Sequence, residues 1–184
     1  MRCQESGVCL WVGRVRDTGP VDISARSDYA VRAMLALAAG QGGQDGQDEP
    51  AAREATPVSV DRLAQAQDLP VKFLEAIVAD LRRAGLVASR RGARGGYLLA
   101  RPAAEIAVGD VIRAVDGPLA EVRGLRPHDT AYPGEAQHLP ALWVATRAAL
   151  RAVLDGTSLD QLRHGAWPAE VTELLRQPDA WESR

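Results

Sequence analysis

Arg82 to Arg101, RRAGLVASRRGARGGYLLAR, holds six arginines and no acidic residue in a chain of formal net charge −2. The pattern within it is a helix end, a short apolar run, a Gly/Arg turn and a second apolar run. Directly before it, Leu69–Arg83 carries apolar residues at helical spacing. A helix followed by an arginine-tipped hairpin suits a DNA major groove and an adjacent minor groove or phosphate row. These residues predict a DNA-binding regulator.

The rest of the chain is compatible with that expectation only if charge is segregated. The sequence pI near 5.9 runs against the basic footprint usual in nucleic-acid binders. Residues 82–101 nevertheless sum to +6, whereas residues 102–184 hold eight arginines against twelve carboxylates, hence −4. The DNA face is therefore expected in the basic stretch and not in the acidic C-terminal half. With 184 residues, 46% hydrophobic and 25% charged, the chain can bury a core as one domain with an appendage. At 4% aromatics that core must be mostly Leu, Val, Ala and Ile. Cys3 and Cys9 are the only cysteines, so no disulfide framework or cysteine-rich metal module is expected beyond one pair. No run is long and apolar enough to span a bilayer, and the N-terminus lacks a signal-peptide core, which predicts a cytoplasmic protein without a membrane partner.

The expected fold is mostly α with a small β-hairpin wing: a winged helix-turn-helix plus a long C-terminal dimerisation helix. Residues 1–21 form an irregular extension. Residues 22–101 form the winged domain, opening with a helix capped by Ser27 and striped by Tyr29, Ala33 and Leu37 with Val31, Met34, Leu35 and Ala38. The polar, Gly-rich segment 40–57 is expected to be a disordered insertion. Ser59 caps VDRLAQAQ. Pro70 then opens VKFLEAIVADLRRAG, where Phe73, Leu74, Ile77, Val78 and Leu81 recur at helical spacing and Gly85 stops the helix. Leu86–Ser89 and Gly96–Leu99 are the expected strands. Residues 102–138 supply a short helix, Ile106–Val115, and a linker, Leu119–His138. Residues 139–184 supply the helix Leu139–Leu154, a turn at Ser158–Leu162 and a short helix at Ala169–Leu175.

SARSDYAVRAMLALA, VSVDRLAQAQDLPVKFLEAIVADLRRAGLV, SRRGARGGYLLARP and IAVGDVIRAVDGP, in that order, resemble the Rrf2 family of bacterial winged-helix transcriptional regulators. The resemblance runs from about Ile23 to Leu162. It implies a homodimer joined through the long C-terminal helix, with two winged helices on a palindromic operator, most simply as a repressor. Many members also carry three linker cysteines that ligate an iron–sulfur cluster. Here LAEVRGLRPHDTAYPGEAQH has none, so a family-type cluster is not expected, nor any other cofactor. Family chains begin just before the first helix, and Val21 stands where an initiator methionine would. A start at residue 21 is therefore expected, which mass spectrometry of the endogenous N-terminus would check.

Lys72 and Glu75, on the outer face of the second helix of the motif, read either as base contacts or as an ordinary solvated face. Lysine donates to guanine and glutamate accepts from cytosine. Arg91 matches the family arginine that enters the minor groove, and Arg90 and Arg94 are expected on phosphates; the alternative is a hairpin with a charged tip. Gly92, Gly95 and Gly96 allow a tight turn and close approach to DNA. Ser59 and Tyr29 read equally as phosphate contacts or as an N-cap and a half-buried aromatic, and Arg26 and Arg32 as DNA-edge residues. Leu142, Trp143, Leu150, Val153 and Leu154 are expected to form the dimer seam, since a long amphipathic helix beside a compact domain has few partners within the chain. The three histidines, His128, His138 and His164, lack paired ligand spacing. No nucleotide-loop or nucleophile motif is present, so an enzyme is not expected. Double-stranded DNA and a second copy are the expected partners. A regulator that senses a small metabolite, or a winged helix that contacts protein, are the alternatives.

Overall fold

The computed structural model describes residues 23–41, 56–92 and 95–182. Helix α1 (Ala25–Gln41) lies at the centre of the packing. Its cap is Ser24, whose Oγ accepts from the Ser27 N–H at 3.0 Å, so the cap lies three residues before the expected one. Ser27 is instead buried in the first turn and donates its hydroxyl to Asp116 Oδ2 at 2.6 Å. That carboxylate stands at the N-terminus of α1, the end of the helix dipole that favours negative charge. Ala30, Ala33, Met34, Leu37 and Ala38 are buried, with Tyr29, Val31 and Leu35 along the margins.

Helix α2 (Val60–Gln67) is capped by Ser59, whose Oγ accepts from Arg62 N at 3.3 Å. Asp68 takes the left-handed conformation, φ 52°, and turns the chain sharply into α3 (Val71–Arg83). Leu74, Ile77, Val78 and Leu81 of α3 are buried against Leu63 and Ala64 of α2 and against α1. Phe73 does not join them. One residue from Leu74 is about 100° of helix rotation, which carries Phe73 out to 42% exposure. Gly85, at φ 72°, ends the helix, and Leu86 N returns to Leu81 O at 3.0 Å.

Strand β1 (Val87–Arg90) then pairs antiparallel with β2 (Gly96–Leu99), Val87 opposite Leu99 and Arg90 opposite Gly96. The first strand thus starts one residue later than expected and takes in Arg90. Val58 bonds the outer edge of β2 through Tyr97, at 3.0 and 2.8 Å, and so ties the wing to the start of α2. Gly40 and Gln41 belong to α1, and Thr56 and Pro57 lead into the Val58 bridge. Only 42–55 of the expected insertion lies outside the described residues, as do Cys3 and Cys9. The two ends of that segment are close, since a Cβ on Gly40 would stand 3.6 Å from Thr56 O.

After the wing, helix α4 (Val108–Asp116) packs on α1 and α3. The linker that follows contains helical turns at Pro127–Asp129 and Gly134–Ala136 and leads to α5 (Leu139–Gly156). Helix α6 (Leu159–His164) opens with a Ser158/Gln161 capping box and sends Leu159 into the main core. Leu159 N bonds Ile106 O and Val108 N bonds Thr157 O, both at 2.9 Å. Arg113 adds a bridge between α4 and α5, bonding Asp110 at 2.8 Å and Asp155 at 2.7 Å. Partial burial pulls its pKa down, but the two carboxylates outweigh that and hold it above its ordinary value. Helix α7 (Ala169–Leu175) closes the series. Among the described residues no helix is long and apolar enough to cross a membrane.

Candidate nucleic-acid interface

Helix α3 is two-faced. Lys72, Glu75, Ala76, Ala79 and Arg82 are exposed on the side opposite the buried Leu74, Ile77, Val78 and Leu81. Small residues at 76 and 79 keep that face low along its middle, with charged side chains at both ends. Lys72 and Glu75 therefore share one solvent-facing surface, a turn apart, and that surface begins at Pro70, which has no side-chain cap. Asp80, on the flank of α3, accepts from both Arg26 of α1 and Arg83. Arg26 also donates through Nε to Val115 O at 3.1 Å. One guanidinium thus joins α1, α3 and α4 and fixes the angle at which the exposed face is presented.

The same geometry reassigns two arginines expected at a DNA edge. Arg26 is the joint just described. Arg32 ties α1 to the end of α2 by donating to Gln67 Oε1 at 3.1 Å and to its carbonyl, and stands 3.5 Å from Asp28. Tyr29 meets Phe73 edge-on, ring centroids 5.7 Å apart at 84°, with Arg32 over the Tyr29 ring at 5.8 Å. Such an aromatic pair is favourable beyond its buried area. It sets Phe73, an exposed aromatic that helical periodicity had assigned to the core, beside the first turn of α3.

On the wing, Arg90 ends β1 and Arg91 follows it, exposed. The tip is tight: Gly92 has φ 119°, and Gly95 N bonds Gly92 O at 2.8 Å. A Cβ at Gly95 would lie 2.5 Å from Arg90 O, so the turn requires glycine there. Arg94 lies outside the described residues. Ser59 acts as the N-cap of α2. Ser59 and the wing are neighbours along the chain path, because Val58 is the residue that bonds β2.

The five residues expected in a dimer seam divide between two surfaces. Trp143, Leu150 and Leu154 line a cavity shared with α1, α4 and the linker. Val153 is half-buried, while Leu142 is 55% exposed. None of the eighteen residues of α5 is buried within one chain. The linker offers His128, Asp129, Glu135 and His138 but no thiol, and among the described residues no three His, Cys, Asp or Glu side chains are grouped to hold a metal ion.

The two-faced helix on a helix-turn-helix, followed by a tethered, arginine-tipped hairpin, defines a winged-helix DNA-binding protein. The model of the Rrf2 family, described as iron-dependent transcriptional regulators, matches residues 23–165. The chain belongs to the Rrf2 family and is a DNA-binding transcriptional regulator. It is 43% identical over 161 residues to Rv1287 of Mycobacterium tuberculosis, named for the HTH-type regulators, covering 88% of this chain and 92% of that one. It is 36% identical over 140 residues to the HTH-type transcriptional regulator CymR of Bacillus subtilis, covering 76% and 88%. Among solved structures it resembles CymR (YrzC), the global cysteine regulator of B. subtilis, with TM-score 0.59 and 34% identity over 78% of this chain and 97% of that one. It also resembles T. potens IscR, with TM-score 0.58 and 29% identity over 89% and 93%.

Proposed function

We propose that this chain binds a pseudo-palindromic operator as a homodimer and represses transcription there, with residues 22–101 as the DNA-reading domain. The exposed face of α3 is the observation that carries this reading: it pairs a donor, Lys72, with an acceptor, Glu75, on a helix held rigidly by the Arg26–Asp80 joint. In this reading the face enters the major groove, Arg91 enters the adjacent minor groove, and Arg90, Arg94, Ser59 and Tyr29 lie along the phosphates. Residues 102–138 connect this domain to residues 139–184, and α5 joins the two copies through the side that carries Leu142. The protein acts on DNA occupancy and catalyses no reaction, and it works in the cytoplasm.

The absence of linker thiols favours a regulator without a family-type iron–sulfur cluster, because thiolates are the usual ligands of such clusters. Selection of bound sites from a random duplex pool tests the whole reading. An inverted repeat with half-sites one helical turn or a multiple apart, about 34 Å per turn, is the expected result. Lys72→Ala should relax the preference at one position of each half-site. Recovery of no consensus, or of one indifferent to Lys72 and Glu75, would sink it.

A further inference from the structure

The sequence contains one phenylalanine, and the fold leaves it exposed. Phe73 stands in the first turn of α3, close behind Val71, which is exposed as well. Phenylalanine contributes most where its ring leaves water, in a core or in an interface, and this ring is not in the core. It is nonetheless held in place. Tyr29 of α1 meets it edge-on, Arg32 lies over the Tyr29 ring, and Arg32 is tied in turn to Gln67 at the end of α2. A ring backed in this way loses little freedom when its open side meets a partner, so more of the contact energy survives as affinity. Residues 42–55 hold no apolar side chain larger than proline, so that stretch of sequence has nothing of matching size to lay over the ring.

Helix rotation sets Phe73 about 100° from Lys72 on one side, and Glu75 about 60° from Lys72 on the other. The three side chains fan out from the same end of α3, with Lys72 between the other two. In a major groove, lysine donates to guanine and glutamate accepts from cytosine, so Lys72 and Glu75 both recognise G·C pairs. Neither distinguishes a thymine. The apolar feature that the groove displays is the C5-methyl group of thymine, whereas a ring set against guanine O6 or N7 would desolvate an acceptor without replacing its hydrogen bond. We infer that Phe73 reads the C5-methyl of one thymine in each half-site, beside the pair that Lys72 reads and on the side away from Glu75. Phe73 is thereby a specificity-determining residue that adds a T·A position to the G·C readers of the same turn. This rests on the proposed placement of α3 in the major groove.

Deoxyuridine differs from thymidine only by the missing methyl group. Replacing the thymines of the selected duplex one at a time, with affinity read by fluorescence anisotropy on the full chain, isolates that group. One thymine per half-site, adjacent to the pair whose preference Lys72→Ala relaxes, should stand out. Deoxyuridine there should weaken wild-type binding about three- to fivefold, the effect of one methyl lost from an apolar contact. Phe73→Ala should bind the two duplexes equally and keep the preference at the Lys72 position. Because residue 73 is the only phenylalanine, para-fluorophenylalanine places a single fluorine NMR signal there. That signal should shift between light and heavy water in the free chain and lose this dependence in the complex. A free-chain signal indifferent to the solvent would overturn the inference, since the ring would then be covered. So would deoxyuridine tolerated at every thymine, or a deoxyuridine penalty undiminished in Phe73→Ala. If deoxyuridine is tolerated while Lys72→Ala still relaxes its position, the placement of α3 stands and only the role of Phe73 falls. If no position responds to Lys72→Ala, Glu75→Ala or Phe73→Ala, the placement of α3 falls as well.

Discussion

Asp80 carries two guanidinium groups on one carboxylate, from Arg26 on α1 and from Arg83 one turn further along α3. Its side chain is 13% exposed, so neutralising it leaves the Arg26 charge partly desolvated without a counter-charge. Asp80→Asn should lower unfolding stability by about 1–3 kcal/mol in urea titration. Arg91→Ala should do the reverse: stability should hold, while specific DNA binding weakens by about 1–3 kcal/mol in anisotropy titrations. An Arg91 variant that binds as tightly as the wild type would remove Arg91 from the interface. These two arginines show where sequence reading stops at the residue scale. The wing arginine stood out in the sequence because six arginines fall within twenty residues that hold no carboxylate. Arg26 did not, because its partner lies 54 residues away and only folding brings the two together.

At the scale of elements, the sequence pattern located α1 to α5 and α7 and read α6 only as a turn, because a stripe at 3.6-residue spacing is a property of the local sequence that a six-residue helix is too short to display. It misjudged the edges of those stripes. Ser27 looked like a cap because serine favours that position, yet Asp116, far along the chain, draws its hydroxyl inward and Ser24 caps in its place. Phe73 looked like core because it recurs at helical spacing with Ile77 and Leu81, yet it is 42% exposed and its ring neighbour is Tyr29. The wing has a comparable hidden partner in Val58. A Cβ at Gly96 would come within 2.6 Å of the Val58 carbonyl carbon and oxygen, both rigid backbone. Gly96→Ala should therefore push Val58 off β2, destabilising the domain by roughly 1–3 kcal/mol. Proton exchange at the Tyr97 amide, which donates to Val58 O at 2.8 Å, should quicken more than exchange within α3. Unchanged protection at Tyr97 would show that the wing tolerates a side chain there.

At the scale of the molecule, α5 is an eighteen-residue apolar helix with no residue buried by its own chain. Leu142 and Val144 stand open on it, and Trp167, Leu174 and Trp181 are exposed in the segments that follow. Isolated exposed leucines are ordinary, but a series of large apolar side chains concentrated in one half of a chain marks an interaction surface. In the proposed homodimer a two-fold axis through this half requires no other partner, since the same patch meets itself. The sequence showed that α5 is amphipathic. It could not separate the residues that face the cavity, Trp143, Leu150 and Leu154, from the one that faces outward, Leu142, because both sets are apolar and only the packing of α4 and the linker tells them apart. Leu142→Lys tests that division. Placing a charge against its own symmetry mate should turn the dimer into a monomer by sedimentation, without loss of helical content. The monomer should hold only one half-site, so the dependence of duplex affinity on salt should fall to about half its wild-type slope, in proportion to the phosphates contacted. A dimer that survives Leu142→Lys would move the two-fold axis elsewhere, to the side of α5 that now lines the cavity.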